Sequence, residues 1–157
     1  MSKYDWLLFL HVTGAFFALG GVVMAGVFNV AALRRERPSE VALLFRLTRV
    51  AVASVGVGMV LTLVFGLWLV HYLGYGWGQT WIVLALVFWV LSNALGGVGG
   101  GREKRTRELA ERLAAEGDAP SPELSARLRD PVWLLLTWSS GFLMVAIVAL
   151  MVWKPGS

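Results

Sequence analysis

Three uncharged blocks decide what this chain can fold into. Residues 6–33, 50–101 and 131–153 contain no Asp, Glu, Lys or Arg. A helix needs about 20 apolar residues to cross a bilayer core. The first and third blocks suit one crossing each. The second is too long for one and must hold two. Its break is Gly74-Tyr75-Gly76-Trp77-Gly78-Gln79-Thr80, where alternating glycines and two aromatics suit a tight turn at the membrane interface. The expectation is an all-α, four-transmembrane-helix bundle. It forms one integral membrane domain over residues 1–157, with spans at about 6–33, 50–73, 81–97 and 132–153.

Composition agrees. The chain is 57% hydrophobic and 15% charged, where a soluble domain carries about 25% charged residues. It has no cysteine, which excludes disulfides, thiolate metal sites, iron–sulfur clusters and covalently attached haem. The net charge of +4 raises nucleic acid as a partner. The basic residues are segregated by loop, however, so the partner expected is the lipid bilayer and no nucleic acid.

The polar segments set the orientation. Met1 to Asp5 reads as a lead into an uncleaved first span rather than a signal peptide. Arg34, Arg35 and Arg37 close that span, Pro38 stops it, and Ser39 can cap a new helix. An amphipathic turn or two over residues 40–49 then leads into span two, with Arg46 and Arg49 as neighbours on one side. Residues 102–130 read as a hairpin of two short helices. The first runs over about 102–116 with Leu109 and Leu113 on one side, a Glu108–Arg112 pair and Gly117 as its stop. The second starts at Ser121-Pro122 and carries Leu124 and Leu128. Arg34, Arg35, Arg37, Arg46 and Arg49 follow span one. Arg102, Lys104, Arg105, Arg107, Arg112, Arg127 and Arg129 follow span three, and only Lys3 and Lys154 lie on the other side. The positive-inside rule then predicts the cytoplasmic (inner) membrane, both termini extracytoplasmic, and a cytoplasmic hairpin between spans three and four.

That orientation brings the two histidines into the outer half of the membrane. His11 lies five residues after Trp6, about 7–8 Å deeper at 1.5 Å per residue. His71 lies three residues before Gly74. Two imidazoles from neighbouring spans could be axial ligands of a b-type haem, with Gly14 letting the macrocycle approach the helix. His11, His71 and Met151 could instead hold copper, which accepts imidazole and thioether. The plain alternative is that an interfacial histidine bonds to a headgroup or to a facing carbonyl. Helical spacing puts His71 roughly opposite Thr62 on span two.

Two function classes follow: a haem b-binding or redox-linked membrane protein, and a non-catalytic helper or carrier of an apolar ligand. Whether the protein is an enzyme is left open. A channel lacks polar pore residues, a pump lacks an Asp, Glu, Lys or Arg within a span, and no hydrolytic or phosphate-binding motif is present.

His11, Gly14, Ala18, Gly21, Ala25, Asn29 and Ala32 fall on one stripe of span one, and Gly58, Thr62 and Gly66 on one stripe of span two. Small-residue stripes predict close helix packing, or association with a second copy or another membrane protein. Asn29 and Asn93 are expected to bond to each other. Thr137, Ser139 and Ser140 are expected to bond to their own helix, and Trp6, Trp77, Trp81 and Trp153 to form an interfacial belt.

The opening Leu7-Leu8-Phe9-Leu10-His11-Val12-Thr13-Gly14-Ala15, followed by Gly20-Gly21, resembles the first span of a widespread bacterial family of four-span integral membrane proteins of unknown function. The turn from Gly76 to Val83 and the ending Met151-Val152-Trp153-Lys154-Pro155-Gly156 resemble the same family. The resemblance covers nearly the whole chain and implies topology without an activity. More distantly, the opening is similar to copper-resistance D-type membrane domains and to HemJ-like oxidases of the haem pathway. That likeness implies a cofactor role for His11 alone.

Overall fold

The computed structural model describes residues 2–156. Five helices follow in order: α1 (Lys3–Ala32), α2 (Pro38–Tyr72), α3 (Thr80–Ala115), α4 (Pro122–Leu128) and α5 (Pro131–Trp153). Four helical segments are long and apolar enough to cross a membrane. No strand occurs among the described residues. The chain is therefore an all-helical, four-span bundle, and the helix starts follow local chemistry. Ser2 and Asp5 close a capping box on α1, with Asp5 Oδ2 accepting from the Ser2 N–H at 2.7 Å. Proline opens α2, α4 and α5, where its missing N–H costs nothing. Gly74 ends the α2 side of its turn with φ +69°, and the Tyr75 N–H reaches back to the Val70 carbonyl at 3.1 Å.

Residues 40–49 form the first turns of α2 and lead into span two as expected, because nothing after Pro38 breaks the helix. One element differs from expectation. Residues 102–116 are helical up to Ala115, as expected, but they are not a separate short helix. They continue span three as one helix to Ala115, straight through Gly96 to Gly101. Each glycine costs the helix up to about 1 kcal/mol. Breaking the helix beside the membrane would leave several backbone groups unpaired, which costs more. Two of these glycines also face α5: a Cβ on Gly96 would meet Ser140 Oγ at 3.2 Å, and one on Gly99 would meet Thr137 Oγ1 at 3.5 Å.

The spans associate as two pairs, α1 with α2 and α3 with α5, joined through α2 and α3. α1 and α5 touch only lightly. The α1–α2 pair is held by its small residues. A Cβ on Gly14 would meet the Thr62 backbone nitrogen at 2.7 Å, one on Gly21 the Ala51 carbonyl at 2.6 Å, and one on Gly58 the Gly14 carbonyl at 2.6 Å. Both stripes are thus filled within the chain. The α3–α5 pair is held by a reciprocal serine clamp: Ser92 Oγ donates to the Ser140 carbonyl, and Ser140 Oγ to the Ser92 carbonyl, both at 3.0 Å. Ser140 therefore bonds across helices rather than to its own.

Two buried clusters lie among the spans. One joins Ala18, Met59, Ala85, Met144 and Ile147 from all four spans. Another, Val70, Trp81 and Ile82, sits beneath the α2–α3 turn. A third cluster, of Ala32, Val41, Ala42, Phe45, Leu109, Ala110, Leu124, Leu128 and Trp133, lies at the arginine-rich end. There α4 folds back and packs like the core of a soluble domain. This orders the polar segment as a cap. The expected apolar residues Leu109, Leu124 and Leu128 are all in it. Glu108 pairs with Lys104 at 3.9 Å rather than with Arg112.

Candidate functional site

His11 projects from α1 onto α2. Its Nδ1 lies 2.9 Å from the Thr62 carbonyl oxygen. A carbonyl only accepts, so Nδ1 carries the proton and neutral imidazole keeps its lone pair on Nε2. The ring fills a notch that exists because residue 66 is glycine: a Cβ there would stand 2.9 Å from His11 Cε1. One turn further along α1, the side of Gly14 is filled by Leu61 and Thr62. That face of Gly14 is therefore occupied by α2.

His71 is not brought to His11. It lies nine residues beyond Thr62, about 180° round α2 at 100° per residue, and it is exposed. Met151 is half-buried against Val70, Trp81 and Ile82 and acts there as a packing residue. Two axial imidazoles must lie across one iron, and these two lie on different sides of α2, so a bis-histidine haem does not fit. Among the described residues no three His, Asp or Glu side chains converge as metal ligands.

Lys154 occupies the same end. Its Nζ donates to the Tyr75 hydroxyl at 3.2 Å and sits 5.1 Å and 5.6 Å from the Tyr75 and Trp81 ring centres. Tyr75 and Trp81 meet edge-on at 5.5 Å, and Trp81 Nε1 donates to Gln79 at 2.8 Å. Trp81 is buried, so it locks the turn to the end of α5 and is not part of a lipid-facing belt.

The arginine-rich end holds a polar group that sequence reading missed. Asn29 and Thr48 are buried where α1 crosses α2, with Thr48 Oγ1 3.5 Å from Asn29 Oδ1. Beyond the uncharged part of α3, Glu103 comes against Asn29. Burial pushes its carboxyl up to about 7, while Arg107 and the Asn29 side chain pull it back. Arg107 is buried, and its Nε makes no hydrogen bond among the described residues. Its nearest acid is Glu111 at 3.9 Å, which Arg46 holds more closely at 3.0 Å. Asn93, expected opposite Asn29, bonds instead to the Trp89 carbonyl on its own helix at 2.8 Å. Only the alignment of α1 with the extended α3 creates the group, and that alignment depends on α3 passing unbroken through its glycines.

Four apolar spans and an ordered polar cap define a multi-pass integral membrane protein. Residues 5–155 match the model of the family described as "Predicted integral membrane protein (DUF2269)", and the chain belongs to that family. No curated protein and no solved structure matches it.

Proposed function

We propose that this is a non-catalytic helper protein of the bacterial inner membrane, with its spans as a rigid anchor and its cap as the working surface. The observation that carries the reading is the setting of His11. Its one shared proton closes onto the Thr62 carbonyl, its ring fills the Gly66 notch, and the adjoining Gly14 face is occupied. Such a histidine is a strut between two helices. The distribution of arginine and lysine puts the cap in the cytoplasm and both termini outside.

A second reading keeps His11 as the single protein ligand of haem b or copper. It is favoured by the same bond. A ligating histidine commonly donates its other ring N–H to a carbonyl, which fixes the tautomer and leaves Nε2 free for the metal. One experiment separates the two. The protein is purified in detergent from haem- and iron-replete cells, its reduced-minus-oxidised spectrum is recorded, and its copper is measured. The helper reading expects no α-band and no stoichiometric copper. An α-band or copper that disappears in His11→Ala would overturn it in favour of the second reading.

A further inference from the structure

A polar cleft at the arginine-rich end has no part in the His11 strut. Its volume is about 430 Å³, and it is framed by the end of α1, the loop after it, and α4. Arg34 and Arg35 enter it from one side, and Ser121, Ser125 and Arg129 from the other. These residues come together only because α4 folds back onto the cap. Glu36 is the one acidic side chain in the lining.

Only one of the three arginine charges is paired within the protein. Arg35 shares Glu40 at 3.6 Å. Neither Arg34 nor Arg129 makes a side-chain ion pair or hydrogen bond among the described residues. Ser121 Oγ accepts from the Leu124 N–H at 3.4 Å, which leaves its own O–H to donate outward. The cleft therefore presents guanidinium forks and hydroxyl donors in excess over acceptors, the donor set that phosphate oxygens satisfy.

Its height in the bundle agrees. Arg34 stands two residues beyond the end of α1, and Arg129 two residues before the start of α5. Both spans leave the apolar layer there, at the level of lipid headgroups. Leu33 and Leu128 give the cleft an apolar wall. Of the spans, α1 runs directly into the cleft, and α5 begins two residues past Arg129.

We propose that this cleft binds a phosphate group, carried by an anionic phospholipid, through Arg34 and Arg129 with Ser121 and Ser125 as supporting donors. Arg35 adds charge from its pair with Glu40. The assignment extends the reading of the cap as the working surface, yet it stands on the cleft and would survive the discovery of a cofactor at His11.

The test is lipid retention by the purified full chain. Native mass spectrometry follows binding from mixed micelles containing phosphatidylglycerol or zwitterionic phosphatidylcholine, with and without excess inorganic phosphate. The expected result is selective retention of phosphatidylglycerol, weakened about tenfold or more in Arg34→Gln/Arg129→Gln. Arg105→Gln/Arg112→Gln removes the same charge from the same end outside the cleft and should retain the lipid. If excess inorganic phosphate displaces the lipid from the wild-type protein, the phosphate site stands and its ligand is the soluble anion. Equal binding by the wild type and Arg34→Gln/Arg129→Gln overturns the proposal, as does an equal loss in the two double variants. Should the first double variant fail to fold, Ser125→Trp fills the cleft without touching its charge. Undiminished binding by that variant also overturns the proposal.

Discussion

At the scale of single residues, glycines two positions apart do opposite things. Gly58 lies where α1 crosses α2, and a Cβ there would press on the Gly14 carbonyl at 2.6 Å, a backbone atom that cannot swing away. Gly56, half a turn earlier, has nothing within 4 Å. Gly58→Ala should therefore destabilise the protein by about 1–3 kcal/mol through overpacking. Gly56→Ala should be neutral or should gain up to about 1 kcal/mol from helix propensity. Thermal unfolding of both variants in the same detergent checks the sign. A loss at both positions, or at neither, would show that α1 and α2 do not meet on the Gly58 face. His11 makes the same point. Its chemistry was legible from its type and depth, whereas its partner, a backbone carbonyl on another helix, leaves no mark in the sequence.

At the scale of elements, the joints matter more than the helices. The loop after α3 turns through Gly117 at φ +126° and Asp118 at φ +57°. The second is a left-handed conformation that a non-glycine residue adopts only at a cost. The local gain is a clamp on the start of α2: Asp118 accepts from the Ser39 N–H at 2.7 Å and from the Ser39 hydroxyl at 2.6 Å. These donors, with Arg37 nearby, hold the Asp118 carboxyl below its ordinary value. A carboxyl lowered in the folded state stabilises the fold above its unfolded pKa. That contribution is lost as pH falls through the lower folded value. The wild-type advantage over Asp118→Asn should thus be full at neutral pH and should shrink only as pH drops below about 4. Melting temperatures of the two proteins measured across acid pH check this. A constant difference would mean that the clamp does not depend on ionised Asp118.

At the scale of the whole molecule, the two ends are built on different principles. The end carrying the termini is closed by a lysine held between aromatic rings, Lys154 over Tyr75 and Trp81. The other end carries a buried apolar cluster and ion pairs joining distant segments, Arg46 with Glu111 and Arg102 with Asp130. Each such exposed pair contributes at most about 1 kcal/mol, so the cluster holds the cap and the pairs set its register. The chain has no cysteine, which makes orientation directly measurable. A membrane-impermeant thiol reagent should label Gly76→Cys in intact cells and Ala115→Cys only after permeabilisation. The reverse pattern would overturn the proposed orientation.

The sequence by itself determined the class, the number of spans, the small-residue stripes and the apolar positions of the cap. Each follows from local rules: runs without charge must leave water, and small or apolar residues at helical spacing must share a face. Tertiary structure alone decided which partner each polar group took. Asn29 meets Thr48 and Glu103 rather than Asn93, and Ser140 meets Ser92 rather than its own turn. His11 is separated from His71 by the body of α2. These outcomes depend on the rotation and register of one helix against another. Packing many side chains together fixes those quantities, and no single stretch of the chain encodes them. The same holds for the cleft between Arg34 and Arg129, whose residues are far apart in sequence and become one site only when α4 folds onto the cap.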